Sequence, residues 1–486
     1  MIKSINLLLV CILLGNLTSA DVTTYRGIDG SGTYAETGLL RTWPEGGPKR
    51  TWFASPGRGW GNVSVVGDKV YVIGGSTASL FVHALEDGKT LGEVKLGSAG
   101  AKGWPGSRTA PIIMDGMAAG GTPNGQLYGI DLTTMTKTWD LNAWKNFGNG
   151  KGTMGWGWSE TPAKHGNLVI FSTASKNLET PPLVAIDIRT GKTVWEMAQE
   201  AHPDGKPKKY SAADGSGVVI QHRGRAIVAY PTYRYLVALD ANTGKMLWEI
   251  PSEGPQGLPP LYIREKGWLL ANLKMPNVDG KKVSSLTLLE LSPDGTSYTI
   301  RWCRPFAHKS DYGFAAVSGD RIYTQGLRIA PVLDALGKQL VAPDPVDKKS
   351  GNTNKSDLLC LDLLTGKCLD HLDIDVSGGG HIVTAEGMVY VQDHLPVSPP
   401  DPSLSKEEQN LAKIPPLRMR LIQPTETGMK VVGNLTIPIR TKNDLGGSRD
   451  RDMSWYAAIE PVISHGRLFI RYGGLCVFDI RANPPK

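Results

Sequence analysis

The chain has 486 residues, 40% of them hydrophobic, and a formal net charge of +7 at pH 7. Its basic residues are scattered along the sequence and do not form the concentrated patch that is typical of a nucleic-acid-binding surface, so we expect no nucleic-acid partner. Beyond the first twenty residues, no uncharged apolar run approaches the length of about 18 residues that a transmembrane helix requires.

Residues 1–20 have the pattern of a secretory signal peptide. An early lysine precedes an apolar run, and the small residues at 18–20 are typical of a cleavage site. The mature chain is then expected to begin at Asp21. Cys11 lies inside the apolar run and does not follow a small residue at its end, so no lipoprotein signal is predicted. We expect a periplasmic or secreted protein.

One sequence motif occurs twice, at residues 183–196 and 236–249. In each copy an apolar run ends in Asp, Thr-Gly-Lys begins three residues later, and a Trp follows eight residues after the Asp. The apolar residues favour β-strands, and the Gly stands where a hairpin turn requires a positive φ. These positions are Asp187, Gly191 and Trp195 in the first copy and Asp240, Gly244 and Trp248 in the second.

Weaker copies of this hairpin recur along the whole chain. An earlier copy keeps Asp131 and Trp139 but has Met135 in the Gly position, and a later copy has Asp362 and Gly366. Repetition at a nearly constant spacing indicates an array of small sheets and not several independent domains. We count eight such repeats.

The eighth repeat lacks its last strand when the chain stops. Residues 48–54 have the character of that strand, so we predict that an N-terminal strand closes a ring and removes exposed sheet edges. The expected fold is all-β: one eight-bladed β-propeller of four-stranded antiparallel blades over residues 43–486. Residues 21–42 form a lead-in segment with little periodicity, expected to pack against the outside of the ring.

Two insertions lengthen the later repeats. Residues 338–356 are polar, which predicts a mobile loop. Residues 396–416 are rich in proline around a predicted short helix, in which Ser405 and Glu408 form a capping box.

Four cysteines remain after the signal peptide, and they allow three complete disulfide pairings. Cys360 and Cys368 are the favoured pair because they flank one hairpin turn. Buried free thiols are an alternative of equal weight, since cysteine behaves as a small hydrophobic residue. The four residues are Cys303, Cys360, Cys368 and Cys476.

The phrase Ala-x-Asp-x-x-Thr-Gly-Lys-x-x-Trp, complete at 185–195 and 238–248, resembles the repeat of PQQ-type β-propellers. That family includes quinoprotein alcohol dehydrogenases and the BamB-type outer-membrane assembly factor. The opening Tyr25-Arg26-Gly27 is similar to a group of exported bacterial PQQ-like repeat proteins. The resemblance implies that the repeat Trp packs between blades and that the Asp ties the turn. The residues given structural roles in this way are Asp131, Trp139, Asp187, Gly191, Trp195, Asp240, Gly244, Trp248, Asp362 and Gly366.

The resemblance leaves two functions open. A quinoprotein dehydrogenase of this family is expected to carry a vicinal Cys-Cys disulfide against its quinone, together with oxygen ligands for Ca²⁺, and this sequence has no adjacent cysteines. We therefore favour an exported, non-catalytic, BamB-like scaffold that binds an envelope or extracellular protein or a small ligand. We expect no cofactor and no metal site, and we expect a monomer. The alternative is a PQQ- and Ca²⁺-dependent dehydrogenase of alcohols or sugars.

Glycine and aromatic residues are concentrated in the segments that connect successive blades, which in a propeller converge at one mouth of the central channel. Aromatic rings beside polar groups are suited to stack a sugar, a quinone or a peptide ring. The other interpretation is that the tryptophans wedge the channel closed. The candidate ligand-binding residues are Trp60, Trp104, Arg108, Trp156, Trp158, Asp311, Tyr312, His381 and Trp455.

Overall fold

Eight sheets contain nearly all of the regular secondary structure of the described residues, in what is a computed structural model. No helix among the described residues is long and apolar enough to cross a membrane. The structure describes residues 21–27, 30–57, 59–75, 78–97, 106–147, 158–173, 180–201, 205, 208, 210, 215–252, 259–305, 315–326, 330–343, 357–372, 381–395, 399, 401–403, 405–406, 409, 412, 414–437 and 459–484.

The strands follow one another in the order that the repeats predict. In the first half of the chain they are β1 (Thr33–Tyr34), β2 (Arg50–Ala54), β3 (Val63–Val66), β4 (Lys69–Gly74), β5 (Ser79–Ala84), β6 (Thr90–Lys95), β7 (Ile112–Met114), β8 (Met117–Gly121), β9 (Gln126–Asp131), β10 (Thr136–Asn142), β11 (Ala163–His165), β12 (Leu168–Ser172), β13 (Leu183–Asp187), β14 (Thr193–Glu196), β15 (Val218–His222), β16 (Arg225–Pro231), β17 (Tyr235–Asp240) and β18 (Met246–Pro251). One short helix, α1 (Ala143–Asn146), follows β10.

In the second half, two of the strands lie in an insertion. The strands are β19 (Leu261–Ile263), β20 (Trp268–Pro276), β21 (Lys282–Leu291), β22 (Tyr298–Pro305), β23 (Ala315–Ser318), β24 (Arg321–Gly326), β25 (Val332–Leu333), β26 (Gln339–Val341), β27 (Asp357–Asp362), β28 (Cys368–Leu372), β29 (Ile382–Ala385), β30 (Met388–His394), β31 (Leu417–Pro424), β32 (Met429–Ile437), β33 (Val462–Ser464), β34 (Arg467–Arg471) and β35 (Leu475–Asp479).

Each blade is a four-stranded antiparallel meander. Blades 1 to 5 contain β3 to β6, β7 to β10, β11 to β14, β15 to β18 and β19 to β22, respectively. Blade 6 contains β23, β24, β27 and β28, and blade 7 contains β29 to β32. Blade 8 is built from β33, β34 and β35 with β2 as its outer strand, where Trp52 pairs with Val477. The predicted eight-bladed propeller and its closure by an N-terminal strand are therefore confirmed.

The repeat tryptophans join neighbouring blades. The indole Nε1 of Trp195 donates to the carbonyl oxygen of Ala241 at 3.0 Å, in the turn of the next blade. Gly244 of that turn has a φ of 70° and lies against the Trp195 ring, so an added Cβ would collide with the indole. The same donation to the next blade links Trp52 to Leu85, Trp139 to Ile188, Trp248 to Gly295 and Trp302 to Leu363.

The aspartates of the repeat tie the hairpin turns. Asp187 Oδ1 accepts the backbone N–H groups of Arg189 at 3.1 Å and Thr190 at 2.9 Å, and also the Thr190 hydroxyl at 2.9 Å. These bonds satisfy turn amides that have no strand partner. The same Oδ1 contacts recur at Asp131, Asp240 and Asp362.

In blades that lack the repeat tryptophan, other residues fill the space or make the contact between blades. In blade 1 the position holds Gly92, and the side chain of Met135 from the next turn fills the space, with Met135 itself at a φ of 53°. In blade 6 the position holds Asp370, whose Oδ2 accepts the backbone N–H of Met429 at 2.7 Å. In blade 7 it holds Gly433, against which the indole of Trp43 packs from outside the repeat.

The cysteines form no disulfide: all four are free and buried. The favoured pairing of Cys360 with Cys368 is therefore wrong. In the ladder Cys360 lies opposite Asp370, whereas Cys368 lies opposite Leu361, so the two side chains point to opposite faces of the sheet. They belong to different hydrophobic clusters, one on each side of blade 6.

The lead-in segment lies across the central channel, so its predicted position outside the ring is wrong. It contacts the first, innermost strand of most blades: Val22 bridges Val65, Ile113 donates to the Thr23 carbonyl, and β1 pairs in parallel with β29. These contacts use backbone groups and the segment is not periodic, so no sequence pattern predicts them.

The first insertion attaches to a blade other than its own. Strands β25 and β26 leave blade 6 and extend blade 5, where Leu333 pairs with Cys303. The loop prediction for 338–356 is therefore wrong at Gln339–Val341, while 344–356 lie outside the described residues. In the second insertion, residues 406, 409 and 412 are helical, and Glu408 lies outside the described residues.

Candidate functional site: the channel and its two faces

The two ends of the ring differ in construction. We call the end at which the first strands begin the loop face, because the inter-blade segments lie there. The opposite end, which carries the hairpin turns of the repeat, is the turn face. The lead-in segment covers the turn face: the backbone N–H groups of Gly67 and Gly466, in the first turns of blades 1 and 8, bond to Asp21 Oδ1 and Glu36 Oε2.

A buried ion pair fixes the lead-in segment inside the channel. Arg26 Nη1 lies 2.8 and 2.9 Å from the two carboxylate oxygens of Glu460, and both side chains are fully buried. Arg26 also donates to the carbonyl oxygens of Ala315 at 2.8 Å and Gly30 at 3.1 Å. Burial raises the pKa of Glu460, and the Arg26 charge opposes that rise. Ala315 and Glu460 lie at or just before the start of the first strands of blades 6 and 8, so the pair is near the loop-face end of the channel.

Among the residues that the structure describes, two cavities border the lead-in segment. The larger, of about 790 Å³, lies between Thr33, the first hairpin of blade 5 and the turns of blades 6 and 7. Its wall carries Lys266, which forms a 3.4 Å ion pair with Asp320. The smaller, of about 260 Å³, lies between the lead-in and blades 3 and 4. Both are open clefts beside the lead-in.

The first inter-blade segment at the loop face is folded around a buried arginine. Arg471 Nη1 donates to the carbonyl oxygens of Gly61 at 2.5 Å and Ile73 at 3.0 Å, and Nη2 donates to that of Gly57 at 3.3 Å. A Cβ at Gly59 would collide with the guanidinium. Burial lowers the pKa of Arg471 to about 9. Sequence analysis missed this residue, although the Gly-x-Gly-x-Gly spacing at 57–61 was a signal for a close approach.

The candidate residue Trp60 lies on this segment. It is half-buried, and its backbone N–H donates to the Ser107 carbonyl at 2.6 Å. Arg108 follows in the next inter-blade segment and is also half-buried. The segments of blades 1 and 2 thus bring these two side chains to the same part of the loop face.

Trp158 is fully buried between blades 2 and 3. Its Nε1 donates to Glu160 Oε1 at 3.0 Å, and the same oxygen accepts the backbone N–H of Ser172 at 2.7 Å. Burial raises the pKa of Glu160 to about 8. The indole lies against Gly121, so it has the position of a wedge between blades and offers no open stacking surface.

Of the remaining candidate residues, the structure describes only His381. His381 is 8% exposed at the start of blade 7, and its carbonyl oxygen accepts the backbone N–H of Gln392 at 2.9 Å. The other candidates lie outside the described residues: Trp104, Trp156, Asp311, Tyr312 and Trp455.

One strand position distinguishes the two halves of the ring at the loop face. Four residues after the start of each second strand, blades 5 to 8 carry a buried amide or guanidinium: Asn272, Gln325, Gln392 and Arg471. We call these four residues the polar arc. In blades 1 to 4 the position holds small or apolar residues, namely Ile73, Gly121, Ser172 and Ala229. Aligning the repeats on their second strands would have revealed the polar arc from sequence.

One member of the polar arc, Gln392, has an amide with no hydrogen-bond partner among the described residues. Gln392 has zero exposure, and neither polar atom of its amide has a hydrogen-bond partner in the described part of the chain. The neighbouring Asp393 is buried and is held by Arg418 at 2.5 Å and Arg420 at 2.8 Å. Buried amides are normally paired, so Gln392 has donors and acceptors free for a further group.

No group of three or more His, Cys, Asp or Glu side chains in the described ranges is arranged to hold a metal ion. The aspartates of the repeat are engaged in turns, as described above. At the loop face, the described candidate residues and the polar arc offer hydrogen bonding and packing.

Comparison with known proteins agrees with this architecture. A family model described as outer membrane protein assembly factor BamB matches residues 44–261 and 183–381. No curated protein matches the chain.

Solved propellers show the same fold at low sequence identity. Quinohemoprotein alcohol dehydrogenase from Comamonas testosteroni has 12% identity and a TM-score of 0.58, over 96% of this chain and 81% of that one. BamB from Moraxella catarrhalis has 13% identity and a TM-score of 0.50, over 86% and 96%. A europium-containing methanol dehydrogenase has 12% identity and a TM-score of 0.53, over 85% and 84%. With the family model matching more than half of its length, the chain belongs to the BamB family of PQQ-like β-propellers.

Proposed function

We propose that this protein is an exported, non-catalytic scaffold that binds a protein of the cell envelope or the extracellular space, or a small ligand, through its loop face. The observation that carries the proposal is the lead-in segment, which covers the turn face through its bonds to Gly67 and Gly466 and runs along the first strands of most blades. Because the lead-in segment occupies the turn face, we assign partner binding to the loop face.

The segments added to the basic repeat also support partner binding at the loop face. The hairpin of β20 and β21 and both insertions connect second to third strands, and these connections lie at the loop face. The polar arc adds buried hydrogen-bonding groups near the loop-face ends of the second strands of blades 5 to 8. A rigid closed ring with its added segments on one face is suited to hold a partner in a fixed orientation.

Export is part of the proposal. The signal pattern at residues 1–20 supports it, together with membership of a family described as an outer-membrane assembly factor. Sequencing the N-terminus of the protein recovered from an envelope fraction tests it. We expect the mature chain to begin at Asp21; recovery in the cytosol with an uncleaved N-terminus would overturn this part.

The partner-binding face is tested by photo-crosslinking in cells. Tyr233 is 45% exposed in the hairpin between the second and third strands of blade 4, at the loop face. Leu364 is 57% exposed in a turn of blade 6 on the turn face and serves as a matched control. A photoreactive residue at 233 should give a discrete protein adduct, and the same residue at 364 should not. Equal adducts at both positions, or none at 233, would overturn the assignment.

A quinoprotein dehydrogenase remains the alternative, and one observation favours it. Glu160 places a buried carboxyl with a pKa of about 8 beside Trp158 at the loop face, and a carboxyl of that pKa is suited to proton transfer near neutral pH. Against it, the sequence has no adjacent cysteines.

A further inference from the structure

Two adjacent turns of blade 5 display apolar side chains to solvent. The turn at 277–281 joins β20 to β21, and the turn at 334–338 joins β25 to β26. Val278 in the first turn is 58% exposed, Leu336 in the second is 85% exposed, and Leu340 on the following edge strand is 53% exposed. We call this group of turns and edge strand the blade 5 tip.

The two turns are rigid and packed together. Asn277 Oδ1 accepts the backbone N–H of Lys281 at 2.9 Å, and Asp334 Oδ1 accepts those of Leu336 and Lys338, each at 2.9 Å. A Cβ at Gly337 would collide with the carbonyl oxygen of Asn277, which shows how closely the turns approach. The apolar side chains are therefore held outward by a fixed backbone.

Lysines surround these apolar side chains. Lys281, Lys282 and Lys338 are exposed, and none of them forms an ion pair with another described residue. Asp279 and Asp334 lie in the same turns, so these turns and the start of β21 carry three lysines against two aspartates. The blade 5 tip thus combines an apolar apex with lysines that form no ion pair within the described ranges.

We infer that the blade 5 tip docks on an anionic lipid bilayer, with Val278, Leu336 and Leu340 entering the interfacial region and the lysines contacting acidic headgroups. Apolar residues with basic flanks bind such surfaces through burial and charge together. Three apolar side chains on a convex tip cover far less area than the roughly 1,200 Å² or more of a stable protein interface, whereas a bilayer receives a convex insertion.

Other exposed apolar residues lack this arrangement. Leu91 is 51% exposed and Val194 is 53% exposed, and each lies on an outer strand of a different blade, distant from the blade 5 tip along the ring. Single exposed apolar residues are ordinary surface features. They provide matched controls of similar exposure. The inference is independent of whether the protein is a scaffold or an enzyme.

The experiment is co-sedimentation of the purified protein with vesicles of phosphatidylcholine alone or mixed with phosphatidylglycerol. We expect binding to the mixed vesicles that weakens as salt is raised. Leu336→Ser with Leu340→Ser should weaken binding about tenfold or more, since each leucine loses most of its apolar burial. Replacing the three lysines by glutamine should cost about fivefold per lysine on the mixed vesicles.

The control variants separate docking through the blade 5 tip from nonspecific adsorption to vesicles. Leu91→Ser and Val194→Ser should bind the mixed vesicles like the parent protein, because they leave the blade 5 tip intact. Since all of these residues are exposed, thermal unfolding should be unchanged in every variant. No binding to mixed vesicles at low salt would overturn the inference. Equal loss in the Leu336→Ser and Leu91→Ser proteins would overturn it as well.

Discussion

Replacing Arg26 by Met is predicted to loosen the lead-in segment from the channel. The change leaves the fully buried carboxylate of Glu460 without its counter-ion, and solvent does not screen this pair. Removing one partner of a buried pair costs about 3–5 kcal/mol. The carbonyl oxygens of Ala315 and Gly30 also lose their donor, which adds about 1 kcal/mol each. The loss is limited by the docking free energy of the segment, because the segment can detach while the ring stays closed.

The assay is hydrogen exchange with limited proteolysis, followed across residues 21–42 and across the blades. The Arg26→Met protein should exchange and be cleaved faster in the lead-in segment, with a smaller change in the blades. The defect should also depend on pH. Burial raises the pKa of Glu460 above its ordinary value of 4.5, so its protonated form stabilises docking at low pH and that contribution is lost as pH rises. The defect should therefore shrink as pH falls toward 4.5 and be largest near neutral pH.

A double-mutant cycle with Glu460→Gln measures the pair itself. We expect a coupling free energy of about 2 kcal/mol or more, since the double variant no longer contains an unpaired buried charge. Single effects that add within about 0.5 kcal/mol, together with unchanged exchange of the lead-in segment, would refute the reasoning.

Three further predictions follow from contacts inside the ring. Gly244→Ala should lower the free energy of unfolding by more than about 2 kcal/mol, because the added Cβ meets the Trp195 indole. The control Gly166→Ala has a similar φ but open space around the Cβ, so it should cost only about 1 kcal/mol. Equal melting temperatures of the two variants would contradict this. The parent protein should lose stability between pH 4.5 and about 8, because the raised pKa of Glu160 means that the folded state favours the protonated carboxyl. Glu160→Gln should reduce this dependence of the free energy of unfolding on pH. An unchanged dependence would contradict the prediction. Ellman's reagent should detect no thiol in the folded protein and all four after unfolding, since burial raises the pKa of Cys303 to about 11 and all four thiols are buried; rapid reaction of the native protein would contradict the burial.

The repeat made the ring predictable. The spacing from Asp187 to Trp195 encodes a turn, a strand and a contact to the next blade, and each of these is local in the chain or recurs at a constant interval. Ring closure by β2 was predictable for the same reason, since a repeat that lacks a strand at one terminus can be completed from the other.

Compensating substitutions were only partly visible. Met135 stands out in the sequence as an irregular turn residue, but its partner Gly92 is recognised only when the two blades are seen in contact. The cysteine pairing failed for a related reason. Proximity in sequence suggested a bridge between Cys360 and Cys368, whereas the alternation of side chains along neighbouring strands places them on opposite faces.

The lead-in segment could not be placed from sequence. Its anchor joins Arg26 to a residue 434 positions away, and no local pattern encodes such a pair. The polar arc was missed because its members appear as isolated polar residues in apolar strands, and their common position emerges only when the repeats are aligned on their second strands.

Titration of the purified protein with PQQ in the presence of Ca²⁺ tests the central claim most directly, with quinone absorbance following binding and an artificial dye following turnover of alcohols or sugars. A non-catalytic scaffold predicts no saturable binding of PQQ and no substrate-dependent reduction of the dye. Saturable binding accompanied by dye reduction would contradict the account and establish the protein as a quinoprotein dehydrogenase.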